Sequence, residues 1–317
     1  MRTSLLLFAM FFMVCINAFA QERNFDFPEL SGPYLGQKPP GLSAEVFSSE
    51  IISTVEGREM CSAFTENAKE FYFNAIYDGT FSIFVTKEID GKWTKPLPLH
   101  FSSAFIDRDF TISPDGRRIF FGSNRPRNKG ESSLESLDIF FIQRKESGEW
   151  SNPVNLGPPV NSDFGENYPS VAANGNLYFF SCRQDGWGGC DLYLAPYEHK
   201  NYQEPILLNG NINSKMHDWD GYIAPDESYL IFSSKDRSDT LGTQDLYVSF
   251  KKEDNSWTKA KNLGIAVNSA YDEICPSITL DGKYLFFTSR RRGKEDIYWV
   301  SSKVIEELKP SELLSKD

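Results

Sequence analysis

A chain of 317 residues with 44 acidic and 33 basic side chains carries a formal charge of −11 at pH 7. That sign repels phosphate backbones and anionic lipid, which excludes nucleic acid and membrane surface as natural partners and suits cationic ligands or metal ions. Apolar residues make up 40%, enough at this length to bury the core of one large all-β domain or two smaller ones.

Residues 1–20 read as a secretory signal peptide. Arg2 gives a positive start, Leu5 to Val14 form an apolar core, and Ala18-Phe19-Ala20 supplies small residues for cleavage between Ala20 and Gln21. The apolar stretch is too short to span a bilayer comfortably, and nothing later is long and apolar enough to do so. Val14 stands before Cys15 where a lipid-attachment signal carries a small residue. The mature chain is therefore expected in the periplasm or outside the cell, with no membrane insertion. Residues 21–44, rich in Pro and Gly from Pro28 to Gly41, form a lead expected to be extended, and partly disordered unless it lies along the domain surface.

From residue 45 to 302 the sequence repeats itself. Asp281-Gly282-Lys283-Tyr284-Leu285-Phe286-Phe287 returns as Asp115 to Phe121 and as Asn174 to Phe180, with weaker copies at Asp226 to Phe232 and Asn67 to Phe73. The anchors are Phe73, Phe121, Phe180, Phe232 and Phe287. Eight residues before each turn stands an acidic residue: Glu59, Asp107, Glu166, Asp218 or Glu273. After each anchor come a polar loop and then Asp138-Ile139-Phe140, Asp191-Leu192-Tyr193, Asp245-Leu246-Tyr247 and Asp296-Ile297-Tyr298, with Ser82-Ile83-Phe84 in the first copy. Trp93, Trp150 and Trp257 follow in three copies and Tyr202 in a fourth. Asp-Gly and Asn-Gly between apolar runs are hairpin signals, because those residues accept the positive φ of a tight turn. Each copy is thus a four-stranded antiparallel unit that cannot bury both its faces alone, and such units stack radially as propeller blades. The fifth copy lacks its outer strand, which the segment from Glu45 supplies, closing the ring. The expected fold is an all-β propeller of five blades, with six as the alternative. Residues 303–317 form a tail, with helical periodicity only from Lys303 to Leu308.

The run Glu273-x-x-Pro276-Ser277-x-x-x-Asp281-Gly282 and the later Asp296-Ile297-Tyr298 resemble the WD-type repeat of TolB-like propellers. The resemblance covers about residues 59–302 and implies the propeller fold. Such propellers serve as scaffolds, partners and enzyme add-ons alike, so it does not choose a function. Repeats one and four depart most, around Cys61-Ser62 and Asp220-Gly221.

The five acidic residues should ring one mouth of the channel. Arg125, Arg183, Lys235 and Arg290, and the aspartates opening the third strands, fall on the same face. Either these groups form an ion-pair lattice between strands and blades, or the ring binds a cation, calcium at the axis, or a basic ligand. Trp187, flanked by glycines in a loop, either stacks on a sugar or partner or folds back over a blade. Trp219, in His217-Asp218-Trp219-Asp220, lies near the axis. Cys182 and Cys190 bracket the Trp187 loop and are a disulfide candidate. Cys61 and Cys275 occupy equivalent places in the first and fifth copies and are expected as buried thiols, since equivalent strands of adjacent blades usually lie too far apart to bond. The chain has no Gly-x-Ser-x-Gly elbow, no His-Glu-x-x-His and no zinc spacing of cysteines. The reading is an exported binding or scaffold module without cofactor, recognising a protein or glycan of the cell envelope on its channel face. The alternative is a carbohydrate-active enzyme using carboxylates in the axial funnel. The metal question, the oligomeric state and the ligand's identity are not legible.

Overall fold

The computed structural model describes residues 27–313 except 55, 56, 78, 103 and 129. The signal peptide and its cleavage position lie outside the described residues. Five antiparallel sheets form a five-bladed β-propeller. The inner strands are Glu59–Phe64, Asp107–Ile112, Glu166–Val171, Asp218–Ile223 and Glu273–Ile278. In blades 1 to 4 the chain runs outward through a second strand and a third strand to a two-residue outer strand. The outer strand of blade 5 is Glu45–Val46, paired antiparallel with Trp299 and Tyr298, so the N-terminal segment closes the ring. Closure covers the third strand of the last blade, Asp296–Ser301, which would otherwise be its open edge.

Apolar burial falls between blades. Five buried clusters occupy the five seams: Tyr72, Phe110 and Phe121 between blades 1 and 2, Phe120 and Phe179 between 2 and 3, Tyr178 and Phe232 between 3 and 4, Ile231 and Phe287 between 4 and 5, and Phe47, Phe71 and Phe286 between 5 and 1. Each sheet face thus finds its cover on a neighbour.

Four anchors occupy matching places, each paired with an aromatic of the third strand: Phe73 with Phe84, Phe121 with Phe140, Phe232 with Tyr247, Phe287 with Tyr298. In blade 3 the matching residue is Phe179, paired with Tyr193, rather than Phe180. The cause is a shorter hairpin. Val171 pairs with Leu177 across five residues, whereas Ile278 and Leu285 are separated by six. The strand advances one place earlier, so Phe179 is fully buried and Phe180 only half-buried.

The lead lies along the propeller from Phe27 onward. Trp93 donates its indole N–H to the Gly32 carbonyl at 2.8 Å. Tyr34 and Leu35 are buried, and Tyr34 packs edge-on against Phe64 and Tyr284. Gln37 holds both the Val46 carbonyl and the Ser48 amide, fixing the approach of the closing strand. The tail helix, Lys303–Glu306, buries Val304 and Ile305 in the seam of blades 4 and 5.

Phe47, fully buried, touches Phe64, Phe71, Phe286 and Trp299 with ring centroids 4.9–5.9 Å apart. Phe47→Ala should lower unfolding free energy in urea by about 3–5 kcal/mol, the range for a buried phenylalanine. A loss below about 1 kcal/mol would show that the closing strand does not hold the ring.

Candidate functional site

The five inner carboxylates are buried, at 0–4% exposure, and internal groups engage them all. Asp107 takes Arg125 at 2.6 Å, Glu166 takes Arg183 at 3.2 Å, Asp218 takes Arg237 at 2.7 Å and Glu273 takes Arg291 at 3.1 Å. Serine hydroxyls of the second strand complete the set: Ser123, Ser181, Ser234 and Ser289. Each arginine also donates to a carbonyl of the preceding linker (Phe101, Val160, Ile212 or Val267). Each guanidinium lies over aromatic rings, such as Phe232 and Tyr247 beneath Arg237. Two of the bases differ from those expected. Arg237 and Arg291 take the roles assigned to Lys235 and Arg290: Arg291 stands two residues after its second-strand serine, as Arg125 and Arg183 do, and Arg237 stands three after Ser234. Arg290 pairs instead with Asp272 and Glu295.

The aspartates that open the third strands are spent in the same way. Asp138 holds Arg127 and Asn155, Asp191 accepts the Trp187 and Gly188 amides, and Asp245 accepts the Leu241 and Gly242 amides. Asn161, Asn213 and Asn268 reach back to both main-chain groups of the preceding blade's third strand, at Ile139, Leu192 and Leu246. This is a blade-to-blade lattice of buried charge in which nearly every group is engaged, Asp191 Oδ1 being left without a hydrogen-bond partner.

Blade 1 departs from it. Glu59 faces no arginine; Thr54 donates to it at 2.9 Å, and Lys294 of blade 5 stands 3.9 Å away while holding Asp296 at 2.6 Å. Glu59 Oε2 and Asp296 Oδ2 have no hydrogen-bond partner. Burial pushes the Glu59 carboxyl up to about 7, against the opposing pull of Thr54 and Lys294.

One step further in, each inner strand bulges. Register slips in all five, and the third residue of each (Cys61, Asp109, Tyr168, Asp220 and Cys275) has a φ between 39° and 55°. Left-handed backbone at a non-glycine residue costs on the order of 1–3 kcal/mol. Cross-blade bonds to the bulge amides offset it: Cys61 N–H to Thr288, Asp109 N–H to Asn74, Cys275 N–H to Asp220. The bulges gather these side chains at the axis. There the Cα atoms of Cys61 and Cys275 are 5.0 Å apart and the two are joined by a disulfide, in place of the buried thiols expected. Spacing between ordinary blade strands does not hold where all five strands converge.

Asp109 accepts from Arg108 at 2.7 Å and from Asn167. The Tyr168 hydroxyl donates across to the Pro276 carbonyl at 2.9 Å. The channel is therefore plugged at this depth. Asp220 is raised by burial first and by the Asp109 charge second, so this pair resists double ionisation. Cys61, Asp109 and Cys275 bring ligand-type atoms within 4.8 Å of one another, but the disulfide takes both sulfurs.

The rim above the plug is apolar and open. Trp187 is 52% exposed; its loop is held by the Cys182–Cys190 disulfide, and its ring lies over Gly210, where a Cβ would come within 3.1 Å. Phe164, Met216 and Tyr271 are also exposed, each two residues before an acidic residue of the ring. Gly188 packs on the Met216 carbonyl and Gly242 on the Tyr271 carbonyl. Trp187 thus stands near Met216, and the exposed Leu241 near Tyr271, so that apolar pairs straddle adjacent seams. Trp219, nearer the axis, stacks on His217 with centroids 4.7 Å apart. The sequence reading found Trp187 and Trp219 but missed Phe164, Met216, Leu241 and Tyr271. The available signal was Asn-Ser-x followed by a large apolar residue, repeated in three linkers.

No protein-family profile matches the chain, and no curated protein matches it. Among solved structures it is similar to a glycoside hydrolase (10% identity, 86% of this chain and 92% of that one, TM-score 0.52). A thermostable family-43 glycoside hydrolase is another (10% identity, 78% and 89%, TM-score 0.50). TolB from Acinetobacter baumannii also aligns (13% identity, 78% and 52%, TM-score 0.48), and the chain spans about half that structure's length. At such identities the likeness is of propeller fold alone.

Glu59 yields a pH test. A carboxyl whose folded pKa lies above its ordinary 4.5 supports folding while protonated. That support is complete below about 4.5 and is lost as pH rises through about 7. Glu59→Gln should flatten stability over this window and raise the urea midpoint at pH 8 relative to the parent. A midpoint lowered more at pH 8 than at pH 5 would contradict the assignment.

Proposed function

We propose that the chain is an exported, non-catalytic propeller of the TolB-like kind that recognises a protein or glycan of the cell envelope through the rim of its channel face. The observation that carries this reading is the exposed apolar set Phe164, Trp187, Met216, Leu241 and Tyr271, placed on one face and across neighbouring seams. Single exposed apolar residues are ordinary on any surface; several gathered on the loops of one channel face support an interaction site. The commitment of four of the five inner carboxylates to arginines supports binding over catalysis, and the reading calls for no cofactor. Two disulfides, one spanning 214 residues, support an oxidising compartment, periplasmic or secreted, as does the signal-peptide pattern.

A second reading, a carbohydrate-active enzyme working at the axis, is favoured by the Asp109–Asp220 pair. Burial first and the neighbouring Asp109 charge second raise the Asp220 carboxyl, the environment by which a carboxyl pair divides acid and base roles. Arg108 and the Trp219–His217 stack would form the wall of such a site.

One preparation separates the two. A photo-crosslinking residue at 187 or 271 should capture the same envelope partner, and one at Lys283 on the opposite face should not. Incubation with envelope polysaccharides should release no reducing ends. Turnover abolished by Asp220→Asn, with no position-specific crosslink, would establish the second reading.

A further inference from the structure

Trp93, Trp150 and Trp257 do one job in three blades: each indole, 4–6% exposed, fills the outer part of the seam towards the preceding blade. Two of these seams also carry a half-buried ion pair. Between blades 1 and 2, Arg144 lies over Trp150 and meets Glu70 at 2.5 Å. Between blades 3 and 4, Lys251 lies over Trp257 and meets Glu227 at 3.1 Å.

The seam between blades 2 and 3 lacks all of this. Tyr202 replaces the tryptophan, and Pro196 stands six residues before it, the spacing at which Arg144 and Lys251 precede theirs. Arg118 opens the second strand of blade 2, as Glu70 opens that of blade 1, so the acid has become a base. Arg118 is half-buried; its guanidinium lies over the Phe141 ring and its charge helps hold down the Asp115 carboxyl, yet among the described residues it makes no hydrogen bond from its guanidinium and no ion pair. A half-buried guanidinium usually has a carboxylate or phosphate to hold.

The smaller ring leaves space. A cavity of about 280 Å³ adjoins a second of about 350 Å³, and the two share Arg118, Phe120, Tyr197 and Tyr202. Tyr197 and Tyr202 belong to a hairpin of Tyr197–Glu198 and Asn201–Tyr202, whose tip, His199-Lys200, takes positive φ at both residues as a tight two-residue turn requires. Gly175 lets Tyr197 lie down as a wall, since a Cβ there would meet the ring at 2.6 Å. The first cavity carries two cations, Arg118 and Lys200, two side-chain amides, Gln143 and Asn201, and no acidic residue. In a chain of net charge −11 this is a selected local sign. Asp115 borders only the second cavity, where Ser113 and the Arg117 amide hold its carboxylate.

We infer that this seam binds an acidic saccharide through its carboxylate. The planar guanidinium of Arg118 takes the carboxylate by paired hydrogen bonds, with Lys200 adding charge at the edge. Tyr197, Tyr202 and the rings of Pro158 and Pro159 offer apolar faces to the C–H side of a sugar ring. Gln143 and Asn201 supply donors and acceptors for hydroxyls. The volume lies at the small end of ligand sites, which fits a short saccharide. The site is separate from the rim and does not depend on how the rim is used.

Titration calorimetry with glucuronate and a short oligouronide should give saturable binding in the millimolar range or tighter, and glucose should give none. Arg118→Gln should weaken uronate binding about tenfold or more while lowering the unfolding midpoint only slightly, by the worth of its contact over Phe141, since Arg118 makes no side-chain hydrogen bond or ion pair. Tyr202→Trp should fill the cavity as the other blades do, abolishing binding while the fold persists. Absence of saturable uronate binding, unchanged affinity in Arg118→Gln, or equal binding of inorganic phosphate and acetate would overturn the assignment, the last by showing that charge alone is read.

Discussion

A small four-stranded sheet has two apolar faces and no means of covering either. Every other feature of this protein follows from how five such sheets cover one another. Their cores lie in the seams, so blades must be fixed at a set angle and distance, and buried polar groups do the fixing. The acidic residue that opens each inner strand sits where blade meets linker. In four blades an arginine from the following loop satisfies it and caps an aromatic pair at the same time. A buried charge left alone would be costly, whereas a charge shared with a guanidinium, a hydroxyl and main-chain amides specifies one geometry.

The same convergence explains the axis. Inner strands brought close together would leave backbone amides facing a narrow channel. The bulges turn one residue per blade into it, and those residues close it with a disulfide, a carboxyl pair under Arg108, and a tyrosine reaching across. The rigidity that results leaves little room for chemistry in the channel. Open chemistry sits where the repeat relaxes: on the rim loops, and in the seam where Tyr202 replaces tryptophan.

The repeat made the fold legible. Asp-Gly and Asn-Gly turns, the acidic residue eight places earlier, and the missing fifth outer strand were enough to place all five blades and the closing strand from Glu45. Register within a blade was less accessible. The one-residue difference in the blade 3 hairpin is hidden because Phe179 and Phe180 are both phenylalanine. Neighbouring bases also hid which one meets which acid: Arg290 and Arg291 are adjacent, and blade 4 sets Arg237 one place further from its serine than the other blades do, so Lys235 and Arg290 were read for Arg237 and Arg291. The Cys61–Cys275 bond was out of reach because sequence spacing does not announce a bulge. Trp187 stood out against its glycines, whereas Phe164, Met216 and Tyr271 resembled ordinary core residues until the linkers were seen to project them outward.

The claim that the acidic ring holds blades together, rather than waiting for a ligand, is tested most directly by a double-mutant cycle on Asp218→Asn and Arg237→Gln, read by urea unfolding. Each single change should cost about 3–5 kcal/mol, as removing one partner of a buried pair does. The two should couple by more than about 1 kcal/mol, as contacting residues do. Additive losses below about 0.5 kcal/mol, within the range of ordinary surface changes, would contradict the account and return the ring to the list of free ligand groups.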